Sequence, residues 1–151
     1  MRRVWCTAVI ATSLLLMASA AFAQDFCSDL DEVVKLARSQ FRAIRDDTGR
    51  GALTTPVTRS LPGASWCWYN NVTGAYWCSW TVSFDQVPSR VKQLASAVGE
   101  CYQVRAVYDT SLSFAFVDMP SSASVYVDGV GGMVFLSIEG ASRERDIQEA
   151  P

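Results

Sequence analysis

The sequence predicts an α+β two-layer sandwich: an antiparallel sheet, built from a hairpin and a C-terminal meander, with two helices on one face. Three observations predict it. Apolar residues recur at helical spacing in two stretches, Leu30–Ile44 and Val87–Val98. They alternate with a period of two over 65–84 and again from Tyr102 to Ile138. The order is helix, hairpin, helix, meander, which keeps strands in runs and so favours α+β over a parallel α/β sheet.

The chain opens MRRVWCTAVIATSLLLMASAAFAQ. Arg2 and Arg3 form a positive region, an apolar run extends from Val4 to Ala18, and Ala21-Phe22-Ala23 gives a small-x-small cleavage site. Residues 1–23 therefore read as a secretory signal peptide, which also removes Cys6. A single domain is expected over 24–139, with 140–151 (GASRERDIQEAP) as a flexible polar tail. The expected location is the bacterial periplasm or the medium, and no later stretch has the length of a transmembrane segment.

Losing Arg2 and Arg3 reduces the 13 basic residues to 11 against 15 acidic, a mature charge of −4. That balance argues against nucleic acid as a partner, which demands a basic surface. The chain contains no histidine. Ser-His-Asp and Cys-His catalysis and every histidine-containing zinc site are thereby excluded. The four remaining cysteines lack paired short spacings, so no metal and no other cofactor is expected. Their even number in an oxidising compartment reads as two disulfides.

Taken in order, Ser28 and Asp31 resemble a capping box, and Leu30, Val33, Val34, Ala37, Phe41 and Ile44 predict a helix over 28–46. Asp46-Asp-Thr-Gly49 ends it with turn chemistry. Lys35, Arg38, Arg42 and Arg45 would fall within about 80° of one another on that helix, a basic stripe suited to an acidic partner or to a solvated flank. One edge strand is expected near Leu53–Arg59, weakened by Pro56. Strands follow at 65–70 and 75–84. A second helix is expected over 87–99, capped by Asp85, with Pro88 in its first turn and Gly99 just past its end. Tyr102, Val104, Ala106 and Tyr108 make one face of the next strand, and Leu112, Phe114 and Phe116 one face of another. Val125 and Val127 then lead into a turn at Asp128–Gly132, with Val134, Leu136 and Ile138 beyond it.

The stretch SWCWYNNVTGAYWCSW, 65–80, holds every tryptophan of the mature chain. If Asn71–Gly74 forms a four-residue loop, Tyr69 faces Tyr76, Trp68 faces Trp77, and Cys67 faces Cys78. Four cysteines allow three connectivities, and this register selects Cys67–Cys78, leaving Cys27 to pair with Cys101. Alternation then gives a core face of Cys67, Tyr69, Tyr76, Cys78, Trp80, Val82 and Phe84. The opposite face carries Trp66, Trp68 and Trp77, followed by Ser79, Thr81 and Ser83.

Leu61-Pro-Gly-Ala64, Cys67, Tyr76-Trp-Cys78-Ser-Trp80 and a helix ending in Cys101 resemble a pattern found in a group of small exported bacterial proteins. The resemblance implies compartment and fold, and no activity. Asp85, Asp109, Asp118 and Asp128 stand at predicted element ends or turns, where aspartate is ordinary. Gly129-Val-Gly-Gly132 precedes no helix and is no phosphate loop. The expectation is a non-enzymatic exported binding module. It would act through a protein–protein surface at Trp66, Trp68 and Trp77, as inhibitors and immunity proteins do. The alternatives are a carbohydrate- or peptidoglycan-binding domain using the same tryptophans, or a structural envelope protein. The expected partner is accordingly another exported or envelope protein or a cell-wall glycan, and a homo-oligomer is a further option.

Overall fold

The computed structural model describes residues 25–46, 53–109, 113–119 and 123–140. The expected signal peptide over 1–23, the expected tail beyond 140, the expected turn at Asp47–Gly49 and Leu112 lie outside the described residues. The elements are helix α1 (25–36), strands β1 (Thr54–Pro56), β2 (Trp66–Asn70) and β3 (Ala75–Thr81), helix α2 (Val87–Tyr102), and strands β4 (Ala106–Asp109), β5 (Phe114–Asp118), β6 (Ala123–Val130) and β7 (Met133–Gly140). The strands form one antiparallel sheet in the order β1-β2-β3-β7-β6-β5-β4. This is the predicted hairpin and meander, joined along β3 and β7 over seven residue pairs from Ala75↔Glu139 to Thr81↔Met133. Among the described residues, no helix is long and apolar enough to cross a membrane.

The hairpin register is the predicted one. Cys67 pairs with Cys78, Trp68 with Trp77 and Tyr69 with Tyr76. The Asn70 carboxamide oxygen accepts the N–H groups of Val72 and Thr73 at 2.9 and 3.1 Å, and Gly74 supplies the positive φ that closes the loop. Cys67–Cys78 and Cys27–Cys101 are the two disulfides, with Cα separations of 4.1 and 5.3 Å. At the β1 edge, the Arg45–Val57 bridge and the Asp46 N–H donating to the Pro56 carbonyl continue the pairing outward. Pro56 therefore sits at the end of a three-residue edge strand, a position that a missing N–H tolerates.

One sheet face makes the core. Cys67, Tyr69, Tyr76, Cys78, Trp80, Ala115, Val117, Val125, Val127, Val134, Leu136 and Ile138 are all buried on it. Val87, Val91, Leu94, Ala95 and Val98, the predicted apolar stripe of α2, are buried as well. Val87 and Val91 lie directly over Gly129, and Phe41 packs its ring on Tyr69 and Tyr76 with centroids 5.9 and 5.8 Å apart. The 61–64 loop is held over the same face. Tyr76 donates its hydroxyl to the Arg59 carbonyl (3.0 Å), and the Trp80 indole N–H donates to the Pro62 carbonyl (3.4 Å). The motif residues Leu61–Ala64, Tyr76 and Trp80 thus meet in space.

Several boundaries differ from those expected. The first helix is already helical at Ser28, which therefore does not cap it, and it ends at 36 instead of 46. A 3₁₀ turn, Ala37–Ser39, leads to Gln40 and Phe41 at φ 54° and 57°, and the Phe41 N–H returns to the Leu36 carbonyl at 2.9 Å. That reversal delivers Phe41 to full burial. At the second helix, a 3₁₀ turn over Phe84–Gln86 precedes Val87, and Asp85 makes no cap; Gln86 takes the capping position without a side-chain bond. The helix also runs through Gly99 to Tyr102, so Tyr102 and Val104 are not strand residues. Strand β3 stops at Thr81, which leaves Phe84 outside the core at 80 % exposure. On β5, Ala115 and Val117 face the core and Phe114 and Phe116 point away from it. Strand β6 continues to Val130, so Asp128 and Gly129 belong to the strand and the turn is Gly131-Gly132 alone.

Candidate functional site

The antiparallel register aligns side chains of the second sheet face into rows that cross the strands. One row runs Pro56, Trp68, Trp77, Ser137, Tyr126, Phe116 and Val107. The row beside it runs Trp66, Ser79, Phe135, Asp128, Phe114 and Asp109. On the other side lie Asn70, Ala75, Glu139, Ser124 and Asp118. At about 4.8 Å per strand, seven strands make this face roughly 29 Å wide. Trp66 is 57 % exposed and Trp68 and Trp77 are half-buried, whereas Trp80, on the core face, is 3 % exposed. The predicted division of the tryptophans therefore holds in the fold.

The rings form two clusters. Trp66 stacks on Trp68 with centroids 4.8 Å apart and planes inclined by 27°; Trp68 stacks on Trp77 at 6.1 Å and 18°. Phe135 of β7 meets both Trp68 and Trp77 edge-on at 6.2 Å. Farther across the sheet, Tyr126 packs against Phe116 at 5.3 Å and Phe114 at 6.0 Å. Ser79 and Ser137 are buried although they point to this side, each standing in the register between two rings, Trp66 and Phe135 for Ser79 and Trp77 and Tyr126 for Ser137. The indole nitrogen of Trp77 is enclosed, with no hydrogen-bond partner among the described residues. The aromatic pairs fix one another's orientation, each contributing about 0.5–1.5 kcal/mol beyond simple burial.

The basic side chains do not join this face. Because the helix ends at 36, Lys35, Arg38, Arg42 and Arg45 lie on successive turns of different geometry and form no helical stripe. Lys35 pairs with Asp31 one turn before it, at 2.6 Å. Arg38 and Arg42 are exposed, and Arg45 places its guanidinium 4.3 Å above the ring of Tyr69, a core-face residue. Arg59, which no sequence feature singled out, bridges to Glu32 and stands 3.8 Å from Asp29. Lys35 and Arg59 thus pair with acidic residues of α1, and Arg45 lies on a core-face ring.

Phe114, Phe116, Tyr126 and Phe135 are the members of the face that sequence reading missed. Their period-two spacing was visible, but the side they take depends on the pairing of β7 with β3. A separate apolar cavity of about 140 Å³ lies between the start of α1, the 61–64 loop and α2, lined in part by Phe26, Trp80 and Leu94. Its rim residue Arg90 donates to the Gln93 side-chain oxygen at 2.7 Å. A binding pocket normally adds a few converging polar groups to such an apolar lining.

Tyr76 and Tyr102 are the described groups with displaced acidities. Burial pushes the Tyr76 phenol well above the usual tyrosine range. Burial first and the nearby Asp31 charge second push Tyr102 up to about 12. Both sit in the packed layer and away from the aromatic face. The chain matches no family model, and no curated protein or solved structure matches it.

Proposed function

We propose that the protein is an exported, non-enzymatic binding module that engages another envelope or secreted protein through the aromatic sheet face, in the manner of an inhibitor or immunity protein. The observation that carries this reading is the face itself. Its rings are placed by strand register and locked by mutual stacking, with Trp66 57 % exposed and the other rings half-buried beside it. Large contiguous apolar surfaces of this kind mark interaction sites, and tryptophan is the residue type most enriched at interface hot spots. The leader-like first 23 residues and the two disulfides support export to an oxidising compartment.

The ring geometry favours a protein over a cell-wall glycan. A pyranose stacks on an aromatic face that lies open to solvent. Here Trp66 and Trp68 turn faces toward each other at 4.8 Å and present mainly their edges. Such edges and the gaps between them suit apolar side chains.

Trp68→Ala tests the proposal. The substitution removes the central ring of the stack, so binding to envelope proteins should weaken by about thirtyfold, the loss of a hot spot worth roughly 2 kcal/mol. Stability should fall by about 1.5–4.5 kcal/mol, the loss of three aromatic contacts, to Trp66, Trp77 and Phe135. Unchanged binding, or a collapse of the thermal melt, would remove Trp68 from the binding surface. Retention on purified peptidoglycan, lost in the variant, would move the reading to a glycan.

A further inference from the structure

The aromatic face is polarised across the strand order. Outward positions of β1, β2 and β3 carry no charge, whereas β4 to β7 carry one carboxylate each: Asp109, Asp118, Asp128 and Glu139. Among the described residues, no Lys or Arg stands at an outward position of any of the seven strands. The register sets these carboxylates on alternate sides of Phe116 and Tyr126. Asp109 and Asp128 fall in the row on one side, and Asp118 and Glu139 in the row on the other. Among the described residues, Asp118, Asp128 and Glu139 form no ion pair; Asp128 accepts the Gly129 N–H at 2.7 Å through one oxygen, leaving the other.

We infer that the β4–β7 half of the face docks an extended basic segment of a partner protein, its Lys or Arg stems lying on Phe116 and Tyr126 and its cationic heads reaching the carboxylates on both margins. The inference rests on the reading of this face as a binding surface and adds the chemistry of the partner. An extended chain sends successive side chains to opposite sides, which matches carboxylates that alternate strand by strand. Lys and Arg stems cover apolar surface while their heads stay solvated or paired, the geometry that an aromatic floor with acidic margins calls for. The uncharged tryptophan half next to it accepts the segment's apolar residues, so the polarity of the face fixes the direction in which the partner lies. A second copy of this chain brings no Lys or Arg on this face to meet the carboxylates, and where the two acidic halves overlap carboxylate would face carboxylate. An anionic partner would be repelled for the same reason.

The test uses the full mature chain and three defined probes: a labelled (Lys-Arg-Thr-Leu)3 peptide, which sends cations to both sides of an extended chain, its acidic counterpart (Glu-Glu-Thr-Leu)3, and chitohexaose. The basic peptide should bind with an affinity that falls as salt is raised, and the acidic peptide should not bind. Asp118→Asn with Asp128→Asn should weaken the basic peptide about tenfold, two surface pairs of ordinary strength. Asp85→Asn with Glu100→Gln makes the same change in net charge away from the face and should leave affinity within about twofold. Equal losses in the two double variants would show attraction to net charge alone and overturn the inference. So would binding of the acidic peptide, failure of the basic peptide, or a dimer dispersed by Trp68→Ala. Chitohexaose binding that needs Trp68 but neither aspartate would also overturn it while leaving the face a binding surface. The Trp68→Ala comparison above decides that broader reading independently.

Discussion

A Cβ placed on Gly129 would stand 2.4 Å from Cγ1 of Val87 and 2.9 Å from Cγ2 of Val91, both on α2. Valine side chains are branched and stiff, so neither can swing clear without moving the helix. Gly129→Ala should therefore lower stability by about 1–3 kcal/mol, the usual cost of overpacking, read as a fall in the urea midpoint at unchanged slope. Gly131 isolates the backbone contribution, because a methyl there would meet nothing within 4 Å while φ stands at +59°. Alanine at that position should cost no more than about 1–2 kcal/mol. Tyr102 gives a second residue-scale prediction. Its folded pKa lies near 12 against 10.0 for the free side chain, raised first by burial and then by Asp31. A raised folded pKa means stability that is intact below pH 10 and lost as pH climbs toward 12. Its hydroxyl is also buried with no partner among the described residues. Tyr102→Phe should consequently be neutral or mildly stabilising at pH 8 and should flatten the alkaline loss, a contrast that melts at pH 8 and pH 11 can read.

At the scale of elements, both helices stop by the same device. The Gln40 and Gln103 N–H groups return to Ala37 and Glu100, and the Phe41 and Val104 N–H groups reach back to Leu36 and Gly99 at 2.9 Å. These are Schellman-type ends with glutamine, at φ 54° and 55°, where glycine usually stands. Helix ends were illegible in the sequence for that reason. Periodicity ran on through Phe41 and Ile44, and Gly99 looked like a terminator when its role is to let the Val104 carbonyl approach. The hairpin was legible because two cysteines, a four-residue loop and strict alternation constrain one register. That register carries a prediction about the staples. Cys67–Cys78 closes a loop with sequence separation 11 and Cys27–Cys101 one of 74. Chain entropy assigns them about 3 and about 4–5 kcal/mol. Replacing Cys27 and Cys101 by alanine should thus lower the urea midpoint more than replacing Cys67 and Cys78. The reverse order would show that the hairpin staple acts through packing in the native state.

For the whole molecule, the division of labour between the two sheet faces sets what can be changed without unfolding it. Half of the aromatic face was readable from the spacing of Trp66, Trp68 and Trp77. The other half was not, since β3 and β7 meet across some sixty positions of sequence, and no local pattern says which side of β5 or β6 that junction turns outward. Ala115 and Val117 went to the core and the larger Phe114 and Phe116 to the surface, against their bulk. If the core lies on one face alone, stability and binding should separate by face. Ile138, 0 % exposed on the core face, should cost about 2–5 kcal/mol as alanine, because removal leaves a cavity that rigid neighbours cannot close. Trp66, more than half exposed, loses one stacking contact as alanine and should cost about 1 kcal/mol despite being the larger side chain. Urea unfolding of the two variants beside the wild type measures both. An equal loss at Trp66 would mean that the tryptophan stack is a second core closed over by further chain, and the face would then be unavailable to any partner. A small loss at Trp66 with a large one at Ile138 leaves the rings held in place by a scaffold that does not depend on them, which is the arrangement a binding surface requires.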